Sequence, residues 1–271
     1  LMRELLMPID QTGGAWAPIE FALGLARRSG GRVIAGFHPR LETLPVVDAM
    51  GGGAIVLSEQ SESRAETALA AEKGLNELIA RLASENAEHV SFDADSIGTV
   101  YAIGERARVH DATIVSKDER YQDWRLVFET ALFEGGRPVF LVPADWHGDS
   151  GATIAIGWNG STETARLIGQ SLELMRAAAT VHVISVENWM VPGPDGKALA
   201  SYLRCHGINA VNTDVADNGG PSASILATAS ELKVDLLLKG AYTQSRLRQM
   251  IFGGATSEII ADATMPVLFA H

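Results

Sequence analysis

The chain has 271 residues, 46% hydrophobic and 20% charged, the profile of an ordinary folded protein and neither a disordered nor a fibrous one. Thirty-three acids against 22 lysines and arginines leave a formal charge of −11, a field that repels phosphate backbones and excludes nucleic-acid binding through a broad basic face. The single cysteine, Cys205, excludes an internal disulfide framework and any cysteine-based metal site.

In chain order, Leu5–Asp10 is a short apolar run that stops at polar turn residues and predicts a buried strand. A helix follows over about Ala17–Arg28, with Ile19, Leu23 and Ala26 at helical spacing, and then a second strand at Arg32–Phe37. Pro39–Ser58, containing Gly51-Gly52-Gly53, is a long loop, open to a plain flexible reading or to a lid. Glu59–Asn86 alternates charge with Ala and Leu and predicts an amphipathic cover helix. Ala112–Val115 and Arg137–Val142 are two further strands that bracket a segment of helix formers, and Pro143–Ser150 is a short polar linker. The pattern then restarts with a strand at Thr153–Asn159, a helix at Thr162–Met175 and a strand at Thr180–Val186. Near the end, Asp235–Leu238 corresponds to Ala112–Val115, and Met265–Phe269 to the strand at Arg137–Val142.

Strands that are continuous apolar runs are buried on both faces, so the fold class is α/β with helix-covered parallel sheets. Right-handed crossovers make two tandem doubly wound, Rossmann-like domains, at 1–144 and 151–271, with ligand crevices beyond the carboxyl ends of the strands. No apolar run reaches the roughly 18 residues of a membrane helix, and the first residues are too short for a signal-peptide core. A cytoplasmic location without membrane contact is therefore expected.

Few residues carry chemistry. The seven histidines are scattered without the i,i+4 spacing of a helix-borne metal site, and His182 and His206 are read as packing or surface residues. There is no Gly-x-Ser-x-Gly elbow and no Gly-x-x-x-x-Gly-Lys-Ser/Thr loop. Asp93 and Asp95 read as solvated acids. One segment differs from the rest: after the strand at Asp235–Leu238 comes Lys239-Gly240-Ala241-Tyr242-Thr243, and ten residues on Gly253-Gly254-Ala255-Thr256-Ser257 opens a helix to about Asp262. Lys239, Arg246 and Arg248 give this stretch cations without an acid. Glycines that admit close backbone approach, followed by the unpaired N–H groups of a helix start, suit an anion. The alternative is a glycine-rich turn followed by an N-cap at Thr256 or Ser257. Spacing leaves both readings open.

With these motifs the sequence resembles the universal stress protein family, as two tandem copies over nearly its whole length. The resemblance implies a five-stranded parallel sheet in each copy and, in the second, an ATP site built on Gly, two residues, Gly, nine residues, Gly, then Ser or Thr. That pattern falls on Gly240, Thr243, Gly253 and Gly254, with Thr243 in place of the second glycine and Gly254 in place of the hydroxyl. Ala255 and Thr256 continue the site into the helix. Asn159, in Asn159-Gly160-Ser161, stands where the family places an Asp, and the backbone at Val186 is implied to lie against the adenine. The first copy keeps Asp10, but its phosphate segment, 116–129, has four acids and no glycine.

The resemblance thus implies a stress-response protein that binds ATP or another adenine nucleotide, with Mg, in its second domain as a regulatory or sensing ligand. No catalytic residue is assigned; slow ATP hydrolysis is the most that is implied. The competing reading is a scaffold, or a binder of another small ligand, that acts through protein contacts. The two copies are expected to pair as a homodimer would, through Val139–Val142 and Val267–Phe269, with room for further dimerisation. Restoring the motif by Thr243→Gly with Gly254→Ser is expected to tighten ATP binding.

Overall fold

The computed structural model describes residues 2–9, 18–37, 69–70, 73, 90–93, 100, 102–118, 124–148, 151–241 and 254–271. Within the first half these residues form β1 (Glu4–Ile9), α1 (Pro18–Ser29), β2 (Arg32–Phe37), β3 (Val90–Asp93), α2 (Ala102–Ala107), β4 (Ala112–Lys117), α3 (Trp124–Glu134) and β5 (Val139–Pro143). The second half forms β6 (Thr153–Gly157), α4 (Thr162–Arg176), β7 (Thr180–Val186), α5 (Gly196–Cys205), β8 (Ala210–Val215), α6 (Pro221–Glu231), β9 (Leu236–Gly240), α7 (Ala255–Asp262) and β10 (Val267–Ala270). The loop at 39–58 and nearly all of the helix expected over 59–86 lie outside the described residues. Residues 69, 70 and 73 of it are helical.

The strands form one sheet in the order β3-β2-β1-β4-β5-β10-β9-β6-β7-β8. Every neighbouring pair is parallel except the central one, where β5 and β10 run antiparallel. Each half therefore supplies a five-stranded parallel sheet, and the palindromic order relates the halves by an approximate twofold at the centre. The segments expected to pair do so: Val267 faces Leu141, Leu268 faces Phe140 and Phe269 faces Val139. A join of this kind turns two exposed edge strands into interior ones and removes a pair of unsatisfied backbone edges.

The halves share small devices as well as strand order. Asp111, just before β4, accepts hydrogen bonds from the backbone N–H groups of Arg3 and Glu4 at 2.7 and 3.0 Å. Asp235, just before β9, does the same for Ala152 and Thr153 at 3.0 and 3.1 Å. Ala112 pairs with Leu5, and Leu236 with Ile154. This corrects the sequence alignment of the halves by one residue: Ala112 corresponds to Leu236, not Asp235, because the aspartate is the cap that ties the strand starts together. Val115 then matches Lys239, and Ser116 matches Gly240.

Helix placement follows local chemistry. Ser161 caps α4 by accepting from the Thr164 N–H, Glu163 lies in its first turn and Arg176 in its last, charges that suit the helix dipole. Its buried face is Thr164, Leu167, Ile168, Ser171 and Met175, a stripe at helical spacing. Apolar side chains pack on both faces of the sheet, and both layers cross the join. One contains Phe140 and Leu268, the other Leu141, Val267 and Phe269. The Phe269 ring meets Phe128 of α3 edge to face, with centroids 5.4 Å apart. Lys117, at the end of β4, donates from Nζ to the Ala261 carbonyl in the last turn of α7, a second tie between the halves. Among the described residues no helix is long and apolar enough to cross a membrane.

Candidate functional site

In the second half, β6 passes through α4 to β7 on one side, and β9 passes through α7 to β10 on the other. The strand order reverses between β6 and β9, so the crevice beyond their carboxyl ends is a topological switch point. Gly157, Trp158 and Asn159 approach it from β6, Lys239 and Gly240 from β9, and the first turns of α4 and α7 flank it.

The strands end differently from the sequence expectation. β6 stops at Gly157, and the Trp158 N–H adds one more bond to β7, donating to the Ile184 carbonyl at 2.9 Å. β9 runs on through Lys239 and Gly240, which pair with Phe269 and Ala270 of β10. Gly240 is thus a strand residue. A Cβ there would lie 2.5 Å from both the backbone nitrogen and Oγ1 of Thr164, so glycine at this position lets the start of α4 pack onto β9. That requirement comes from the fold and holds whether or not a phosphate approaches.

Gly254 has a different reason. It is the N-cap residue of α7, with φ 146° and ψ 167°, and no side chain caps the helix. This backbone region is essentially confined to glycine. Of the two readings, an N-cap at Thr256 or Ser257 is not what the structure has: the helix begins at Ala255, and Thr256 is a buried second-position residue. Among the described residues, nothing lies within 4 Å of where a Gly254 Cβ would be. Thr243 and Gly253, with Arg246 and Arg248, fall outside the described residues.

Asn159 is 4% exposed. Its Oδ1 accepts from the Ser161 N–H at 3.2 Å, so the amide organises the turn that delivers Ser161 to cap α4. Its carbonyl accepts from Val191 at 2.9 Å, which lays the segment after β7 over the turn. Val186 closes β7, is buried, and accepts from the Trp189 N–H at 3.4 Å. Gly240, Gly254, Ala255 and Thr256 thus lie on the β9–α7 side of the crevice, while Asn159 and Val186 bond to the segment that follows β7. His182 lies half-buried on β7, its pKa lowered by burial, and His206 caps α5 with its ring against Tyr202. Among the described residues, no three His, Cys, Asp or Glu side chains gather in a metal-binding group.

What sequence reading did not show is the burial of Lys239, which it counted among the cations of the stretch after the strand. The side chain is fully buried, with the residue 2% exposed. Its stem occupies the space left by Gly157, whose Cβ would sit 3.1 Å from the lysine Cδ. Its Nζ donates to the Gly240 carbonyl at 2.7 Å and lies 5.1 Å from the centre of the Trp189 ring. Burial lowers its pKa from 10.5 to about 8, partly opposed by Glu163, which corresponds to roughly 3 kcal/mol held against the charged form. Below about pH 8 both folded and unfolded chains carry this proton and the penalty is complete. Between about 8 and 10.5 the folded state loses it first, so the unfolded state binds more protons and stability rises with pH. Lys239→Met is expected to melt higher than the parent near pH 7, with the difference shrinking towards pH 10.5 in a calorimetric series; a difference constant with pH would refute this.

Residues 152–271 match the model of the universal stress protein family. A 50-residue stretch is 34% identical to the stress response protein NhaX of Bacillus subtilis (strain 168), covering 18% of this chain and 30% of that protein. The chain thus spans under a third of that relative's length. Among solved structures, a universal stress protein from Archaeoglobus fulgidus DSM 4304 aligns over 99% of this chain and 96% of its own, with a TM-score of 0.67 and 16% identity. A functionally unknown protein from Pseudomonas aeruginosa PAO1 aligns over 99% and 92%, with a TM-score of 0.57 and 14% identity. These two likenesses establish the shared fold over the full length. The likeness to the universal stress protein family thus lies in residues 152–271.

Proposed function

We propose that residues 151–271 form a domain that binds an adenine nucleotide, ATP or a relative with its Mg, as a regulatory or sensing ligand in the cytoplasm. The observation that supports this reading is the start of α7, which opens on the switch point with no side-chain cap hydrogen bond and with no described atom within 4 Å of a Gly254 Cβ. Leading N–H groups so placed are a ready anion site. Gly240, Gly254, Ala255 and Thr256 would border the phosphates, with Thr243 and Gly253 completing the motif; Asn159 and Val186 would border the nucleoside. No catalytic step is proposed.

Residues 1–144 form, on this proposal, a degenerate partner domain. Asp118 is buried directly after β4, and Lys117 is committed to the carbonyl of Ala261. A unit-charge pair at 4 Å costs about 4 kcal/mol at an effective dielectric of about 20, so phosphates beside Asp118 are disfavoured. Fresh protein is expected to release an adenine nucleotide on heating, identified by mass spectrometry, and titration calorimetry is expected to give one ATP per chain. Two ATP molecules per chain would overturn the asymmetry. No nucleotide by either method would favour the scaffold reading, which the burial of Asn159 beneath Val191 also supports.

A further inference from the structure

The fold itself does not require a lysine at position 239. The corresponding residue of the first half is Val115, buried in the same apolar layer of the sheet. Both strand positions therefore suit an aliphatic side chain, yet the second half places an ammonium there, at the switch point. Among the described residues no carboxylate forms an ion pair with it. Among those residues its polar contacts are one carbonyl, at the last peptide of β9, and one aromatic face. A buried cation with so little compensation is a standing cost, and the carbonyl it holds lies at the carboxyl end of the strand, towards the crevice.

We propose that Lys239 is the specificity-determining cation of this crevice, pairing with the phosphate groups of the bound ligand. The inference rests on the nucleotide reading for the identity of the ligand, but it concerns the phosphate alone. An ammonium released from the Gly240 carbonyl supplies the countercharge, and the start of α7 supplies N–H donors. Together they supply a phosphate with charge and donors. Of the elements packed around Lys239, β6 presents Gly157, α6 presents Ile225, β10 pairs through Phe269 and the segment after β7 presents Trp189. Glu163 of α4 is the titratable group that acts on it, and its charge favours the protonated lysine.

The test is titration calorimetry of the full chain with ATP and, separately, with inorganic tripolyphosphate, near pH 7 and near pH 9. A group that titrates at about 8 when free and stays protonated when bound weakens the parent's binding roughly tenfold between those conditions. Lys239→Met is expected to bind both probes at least about tenfold more weakly near pH 7 and to lose the pH dependence, while melting no lower than the parent. A flat profile in the parent overturns the proposal without any variant, as does a folded Lys239→Met that binds like the parent. If ATP binds but the variant is unaffected, this inference falls and the nucleotide reading stands. If tripolyphosphate binds through Lys239 and ATP binds no better, the nucleotide reading falls and this one stands. Failure of both probes to bind overturns both.

Discussion

Phe269→Ala is expected to destabilise the whole chain by about 3–5 kcal/mol, the range for emptying a fully buried aromatic site. Phe269 has no exposed surface and lies in β10, where it pairs with Val139 of β5 across the join. Its ring meets Phe128, which belongs to the first half, so truncation also removes an aromatic pair worth about 0.5–1.5 kcal/mol beyond its area. At roughly 2–4 °C per kcal/mol for chains approaching this size, the melting temperature should fall on the order of 10 °C. Because the residue couples the halves, scanning calorimetry should show one transition moving to lower temperature. Phe128→Ala should produce a similar loss, with the double variant less destabilised than the sum. Two separate transitions, only one of them shifted by Phe269→Ala, would show that the halves fold independently and that the central pair does not couple them.

The family resemblance, laid on the strand pattern, nominated this join. Continuous apolar runs announced buried parallel strands, and the repeat placed Val139–Val142 and Val267–Phe269 at matching ends. Periodicity could not show where a strand meets its site. Lys239 and Gly240 are a charged residue and a glycine, and both resemble the start of a loop. They remain in β9 because β10 continues alongside them. The one-residue slip between the halves has a similar origin, since Asp235 resembles a strand residue in sequence while its carboxylate ties down Ala152 and Thr153. The cap of α7 stayed open between the glycine pair and the hydroxyl residues because hydroxyls are the usual caps, whereas Gly254 starts the helix with no side-chain cap. Asn159 was singled out for a ligand, and the structure gives it a local role in its turn. Its hydrogen bond to Ser161, a consequence of the turn geometry, was not readable from residue type.

The two crevice glycines should fail for different reasons when substituted. The Gly240→Ala Cβ meets the Thr164 backbone nitrogen at 2.5 Å and the Glu163 carbonyl carbon at 3.0 Å. No rotamer relieves a contact with backbone, so α4 must shift off β9, and overpacking of this kind costs about 1–3 kcal/mol or more. Gly240→Val adds two methyl groups to the same clash and should exceed it, lowering the melting temperature and removing nucleotide binding as a consequence of lost packing. Gly254→Ser meets no atom within 4 Å, but it forces a side chain into φ 146°, at about 1–3 kcal/mol. If the strain is relieved by moving the cap, the leading N–H groups of α7 turn away from the crevice. Restoring the family hydroxyl at this position should therefore weaken ATP binding by roughly tenfold or more, contrary to the expectation from sequence, while the melting temperature falls less than for Gly240→Val. Calorimetric titration of the two variants beside the parent separates the causes. A Gly254→Ser variant that binds ATP more tightly than the parent would show that the start of α7 re-forms around the new hydroxyl, and that its glycine conformation is not what holds the site open.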